Sequence, residues 1–248
     1  MRTIGLSILA AGALLGGGCG PTSTSTIGNA PTTPSGKARV ECPTGDAVNA
    51  TAAPYFVGAG TEGASPDIGA TCLAVFTDRP LWLFDGYAYA PVEMGVVLIT
   101  VLVDPSTKTA VWSSGVDDYS YPSGAIDRMS GPGMVAAVDF DGDGRDEVLN
   151  ISGSSAQGYD SQTLSVMAIT DEGVVSAGAI PFLEDNGAAD VDPADLSSCS
   201  TEYKLVAGPE GSKRLELTVT AEPATSQGCL PVGKHLMAWD GKQLVEVK

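Results

Sequence analysis

Between residues 139 and 149 the chain reads DFDGDGRDEVL, with four aspartates, one glutamate and two glycines in eleven positions. Asp139, Asp141 and Asp143 alternate, which predicts their side chains on one side of a curving backbone. Gly144 permits the sharp bend that folds such a loop back on itself. The next groups turned to that side are the carbonyl of Arg145 and the carboxylate of Glu147. An all-oxygen set of this kind suits Ca2+, a hard cation that takes roughly six to eight oxygen ligands in a flexible shell. Carboxylates so crowded repel one another and raise their own pKa values, and a divalent cation among them removes that cost. Asp146, lying between two of the expected ligands, is expected to face solvent or cap the loop. The bland reading of the same run is a solvated acidic hairpin tip with no ion.

Other candidates for chemistry are sparser. His235 is the single histidine, and its place in the alternating run KHLMAW predicts a half-exposed strand residue. No nucleophile elbow accompanies it. Carboxylate pairs of the glycosidase kind could be drawn from DDYSY (117–121) or LEDN (183–186), but both read as solvated loops. The tyrosines of YAYAP and DDYSYP, with Trp82 and Trp112, read as strand packing rather than a sugar- or peptide-binding face. No phosphate-cradling glycine loop is present.

The elements that must position these residues are strands almost throughout. TCLAVF, LWLF, GVVLITVLV, TAVWSS, MVAAVDF, EVLNIS, TLSVMAIT, GVVSAG, YKLVAG, RLELTVTA, KHLMAW and QLVEV are short runs separated by turn signals such as DPSTK, DEG, GPEGSK and DGK. Hairpins are expected in VLVDPSTKTAVW, VMAITDEGVVSAG, KLVAGPEGSKRLELTV and MAWDGKQLVEV, the last with Asp240-Gly241 as a two-residue turn. Helix is expected only for a turn or two at VDPADLSS, where an Asp cap precedes Pro. LWLFDGYAYAPV (81–92) and LMAWDGKQLVEV (236–247) echo one another, as hairpins with a buried aromatic commonly do. The expected fold is mainly antiparallel β, a sandwich or partial propeller-like arrangement, with little helix.

The chain opens with MRTIGLSILAAGALLGGG: one positive charge, an apolar run, then glycines. This is the pattern of a secretory signal peptide over residues 1–18, and its apolar part is too short to span a membrane. Leu14, Leu15, Gly16, Gly17 and Gly18 before Cys19 resemble the lipobox of bacterial lipoproteins, with Gly16 where that family prefers Leu. The resemblance implies a diacylglyceryl group on Cys19, hence an exported protein held to a membrane by its lipid anchor, facing the periplasm or the cell surface. Residues 19–41, rich in Pro, Thr, Ser and Gly, read as a flexible tether, and residues 42–248 as the β domain.

A formal net charge of −17 argues against a nucleic-acid partner and against direct adsorption onto anionic lipid. With Cys19 set aside, Cys42, Cys72, Cys199 and Cys229 remain. An even count in an exported chain reads as two disulfides. Of three possible pairings the spacing favours Cys42–Cys72 and Cys199–Cys229. A zinc site would want closer cysteine pairs and more histidine.

The acidic run is not an EF-hand. Its twelfth position is Asn150 rather than a bidentate Glu, and its flanks MVAAV and VLNIS are strand-like. VAAVDFDGDGRDEVLNI instead resembles the calcium loops of FG-GAP and VCBS repeats, the blades of integrin-like β-propellers. That resemblance implies side-chain ligands at Asp139, Asp141, Asp143 and Glu147, and a carbonyl ligand at Arg145. It covers under about twenty residues, and no second DxDxDG occurs. The functional expectation is an envelope-anchored lipoprotein with a structural calcium site and a non-catalytic binding or scaffolding role, its partner an envelope protein or glycan. The alternative is a secreted hydrolase acting on glycan or ester substrates.

Overall fold

A computed structural model describes residues 39–57, 68–89, 96–114, 129–189, 192, 196–222 and 229–247, all within the unit Thr33–Lys248. The expected signal peptide, Cys19, the expected tether up to residue 38, the DDYSY segment and most of VDPAD lie outside the described residues.

The short apolar and β-branched runs form strands where the sequence predicts them. β1 (Ile68–Phe76), β2 (Pro80–Tyr89), β3 (Val96–Asp104) and β4 (Thr109–Ser113) make a four-stranded antiparallel meander. β5 (Met129–Val138), β6 (Glu147–Ala156), β7 (Tyr159–Thr170), β8 (Gly173–Asp185), β9 (Ser198–Ala207), β10 (Lys213–Glu222), β11 (Gly233–Trp239) and β12 (Leu244–Glu246) make an eight-stranded one. Sequential antiparallel neighbours can be joined by tight turns, as between β3 and β4, where Lys108 N–H bonds the Asp104 carbonyl, and between β11 and β12, where Asp240 N–H bonds the Gln243 carbonyl.

Period-2 alternation then sorts side chains into layers. In β2, Phe84 and Ala88 join Ile99, Val101 and Val103 of β3 on the outer face of the small sheet. Leu81 and Leu83 point the other way and meet Val148, Met167 and Ile169 of β6 and β7. The large sheet bends on itself: β8 pairs along most of its length with β7 but with β9 only through Leu183–Asp185. Bulges at Gln162/Thr163 and Leu164/Val166 add twist there. Beyond the bend, Leu215, Leu217, Met237, Trp239 and Leu244 face Leu149, Ile151, Leu164 and Val166. β6 and β7 are therefore buried on both faces, unlike a simple two-layer sandwich with one solvated side.

A helix not expected from the sequence covers the outer face of the small sheet: α1 (Asp46–Val57), with Pro54 inside it. Val48, Ala52, Tyr55 and Phe56 lie against the sheet, a stripe at spacings of three and four. Proline costs a helix one hydrogen bond, so α1 depends on packing. Asn49 Oδ1 accepts the Ala70 N–H, and Tyr55 Oη donates to the Lys108 carbonyl. Cys42–Cys72 and Cys199–Cys229 are bonded as the spacing favours, each with an S–S distance of 2.06 Å.

Two local expectations change. The turn of the last hairpin is offset by one residue, because Asp240 N–H bonds the Gln243 carbonyl and Gly241-Lys242 form the tip. The apparent echo at 81–92 is not a hairpin, since Asp85-Gly86 lie inside β2 paired with Thr71 and Ala70. A side chain at Gly86 would collide with the backbone of Gly69, so this glycine serves close strand approach rather than a turn.

Candidate metal centre

The acidic loop joins β5 to β6, whose ladder closes at Val138↔Glu147. Both flanks are strands, as the sequence predicts. Within the loop the carboxylates first satisfy the backbone. Asp139 accepts from Gly142 N–H (2.7 Å) and Gly144 N–H (3.0 Å), Asp141 from Asp143 N–H (3.1 Å), and Asp143 from Arg145 N–H (2.7 Å). Gly142 and Gly144 take φ of +86° and +90°, backbone that a side chain disfavours. The chain thus curls round its own acids, and one oxygen from each of Asp139, Asp141 and Asp143 comes within 4.8 Å of the others.

Glu147 opens β6 with its side chain buried, 7% exposed, and Oε2 accepts the Phe140 N–H at 2.9 Å. Burial pushes its carboxyl up to about 8, and the charges of Asp141, Asp143 and Asp139 push the same way. Asp141 is also raised, by burial first and then by Asp143 and Asp139. Arg145 sits at the loop's turn toward β7–β8, its guanidinium 3.1 Å from Asp171.

Asp146 departs from expectation. It neither faces solvent nor caps the loop: it is 2% exposed, accepting from Phe76 N–H at 2.6 Å and from Arg39 Nη2 at 2.7 Å. Its own N–H bonds the Phe76 carbonyl at 2.7 Å. Burial nonetheless raises its pKa, against the opposing pull of Arg39. Sequence reasoning missed Arg39 and misplaced Asp146. Nothing local marks them, because the partners are 107 positions apart. From the other side, the Lys213 N–H of β10 bonds the Phe140 carbonyl at 3.1 Å. The loop is thereby fastened to both sheets and to the bent-over half of the larger one.

The donor set fits a hard cation. Every side-chain donor is a carboxylate oxygen, and after capping the backbone Asp141 and Asp143 each keep a second oxygen for another partner. Asp139, Asp141 and Asp143 are brought together; Glu147 is not part of that trio, its Oε2 held by the Phe140 N–H, though it feels the charge of all three.

Most of the remaining candidates serve the fold. His235 lies on β11, half-buried, with Nδ1 2.8 Å from Glu246 Oε1 and Nε2 2.7 Å from the Pro231 carbonyl. The Pro231 hydrogen bond raises its pKa, and the hydrogen bond and charge of Glu246 raise it too. Trp82 packs edge-on to Phe84 and Trp112 packs with Leu73 and Val174, so both serve packing. In LEDN, Glu184 accepts from Ser161 and Asp185 from Gly187 N–H. A cleft of about 360 Å³ near that segment is lined by Asp185, Ser198, Ser200, Thr220 and Glu222, among others. Among the described residues no helix is long and apolar enough to cross a membrane. No protein-family model, no curated protein and no solved structure matches this chain.

Proposed function

We propose that this chain is an exported, lipid-anchored β protein whose acidic loop holds a structural calcium ion, and that it serves a non-catalytic binding or scaffolding role at the cell envelope. The observation that carries the cation reading is the convergence of Asp139, Asp141 and Asp143 oxygens within 4.8 Å, with Glu147 buried beside them. Calcium bound there would neutralise the loop and stabilise the folded state by mass action, by about 2.7 kcal/mol when free calcium is a hundred times Kd. The anchor reading rests on Cys19 and the apolar segment before it. Its partner would be an envelope protein or a glycan.

Thermal melting of the purified chain tests the cation: a chelator should lower the melting temperature, and Asp141→Ala should abolish that response. A melt indifferent to chelator ends the calcium reading. Incorporation of a fatty-acid analogue tests the anchor and should vanish in Cys19→Ser. The second reading, a secreted hydrolase of glycan or ester, is served by the cleft between β8 and β10. There Asp185 and Glu222 are both paired with Ser198 of β9, which puts them about 10 Å apart at the backbone. Hydrolysis of model glycans or esters, lost in both Asp185→Asn and Glu222→Gln, would favour it over binding.

A further inference from the structure

Arg39 Nη2 donates to two acceptors, Asp146 Oδ1 at 2.7 Å and the Ala137 carbonyl at 3.1 Å. These acceptors belong to the two ends of the acidic loop. Ala137 precedes Val138, where the β5–β6 ladder closes, and Asp146 is the last residue before β6. One nitrogen therefore spans the neck of the loop. The paired bonds between Asp146 and Phe76 hold the same neck against β1. Arg39 is itself held in place through its neighbours at positions 40 to 42. The Val40 and Glu41 carbonyls both accept from Trp82 Nε1, at 3.2 and 3.1 Å, and Cys42 is bonded to Cys72 of β1.

We propose that Arg39 is a positioning residue of the cation loop: it staples the neck so that Asp139, Asp141 and Asp143 stand together before a cation arrives. The N-terminal segment is thereby energetically coupled to the site. This rests on the calcium reading of the loop. The physical case is one of opposing effects. Bringing like charges together costs free energy, and a scaffold that meets that cost in advance leaves more of the binding energy to the ligand. Arg39 is also a positive charge near the carboxylates, and on charge alone its loss would tighten binding of a second cation. The two effects have opposite signs, so affinity decides between them.

The test is calcium titration calorimetry on the full chain, comparing wild type with Arg39→Met and Arg39→Lys. Arg39→Met is expected to bind calcium roughly tenfold more weakly, the scale for losing a group that orients metal ligands. Arg39→Lys should fall between, since it keeps the charge but offers a compact point donor in place of the planar fork. Equal or tighter binding by Arg39→Met overturns the staple. Amide hydrogen exchange on calcium-free protein reads the neck without the cation. Arg39→Met should speed exchange at Gly142 and Gly144, whose N–H groups Asp139 holds, and leave Leu215 and Leu217 of β10 unchanged. Unaltered exchange at both glycines refutes the staple. If exchange rises across β10 as well, Arg39→Met has lost its fold, and Arg39→Lys decides by the same two measurements. A wild type that takes up no calcium defeats the calcium reading alone, because the exchange comparison still judges the staple.

Discussion

Among the described residues, two kinds of acidic turn can be compared. In the β3–β4 and β11–β12 hairpins a lone aspartate caps its own turn. Asp104 accepts from Ser106 N–H and Oγ and from Thr107 N–H, and Asp240 from the N–H groups of Lys242 and Gln243. These hydrogen bonds lower the pKa of both. In the β5–β6 loop the same capping chemistry recurs at Asp139, Asp141 and Asp143, yet Asp141, Asp146 and Glu147 are all raised, with burial the first cause. One carboxylate is enough to satisfy a turn. The loop brings more negative charge than its backbone can use and buries part of it, and that surplus is what a cation would answer.

The largest expected effect in this contrast is at Asp146. Replacing it with alanine strands Arg39 and the Phe76 N–H and should cost about 3 kcal/mol, measured by denaturant unfolding with and without calcium. A loss below that of an ordinary surface substitution would mean that the neck is not held as described. Next in size is the response of the melting temperature to calcium and chelator, confined to the crowded loop: Asp104→Ala and Asp240→Ala should leave it intact.

Asp85 sharpens the comparison by separating burial from crowding. It lies within β2 away from the acidic loop, bonded by Thr100 Oγ1 at 2.7 Å, and burial alone raises its pKa against that hydrogen bond. A raised folded value means that its contribution is fully favourable below the unfolded pKa, about 3.9, and declines as pH rises through the folded one. Asp85→Asn keeps an acceptor for Thr100. It should gain about 0.5–2 kcal/mol at pH 7, gain little near pH 3, and leave the chelator response unchanged. A variant no more stable at pH 7 than wild type would refute this account of Asp85.

The smallest effect belongs to the lone turn acids. Asp240 has a lowered folded pKa, so its stabilisation is present above the unfolded value and lost as pH falls through the folded one. Asp240→Ala should slightly lower the melting temperature at pH 7 and converge with wild type in strong acid. A difference that persists there would point to lost packing rather than lost charge.

Much of this structure was legible in the residues themselves. Among the described residues each strand overlaps a short apolar or β-branched run between turn signals, the disulfide pairs follow from their spacing, and the convergence of three aspartates from alternation about Gly144. These are properties of neighbours along the chain, carried by backbone geometry within a few residues. Other features had no local trace. Whether Asp-Gly makes a turn at 240–243 or a mid-strand contact at 85–86 depends on the strand beside it. α1 is held by a sheet that comes after it in sequence, despite its proline. Asp146, read as a surface group, is buried because Phe76 and Arg39 reach it from 70 and 107 positions away. The sequence by itself determined where the chain extends, where it turns and where its negative charge collects. Only the tertiary structure decided how the sheets layer and which acid turns inward, because the energy of burying a polar group depends on partners that distant parts of the chain provide.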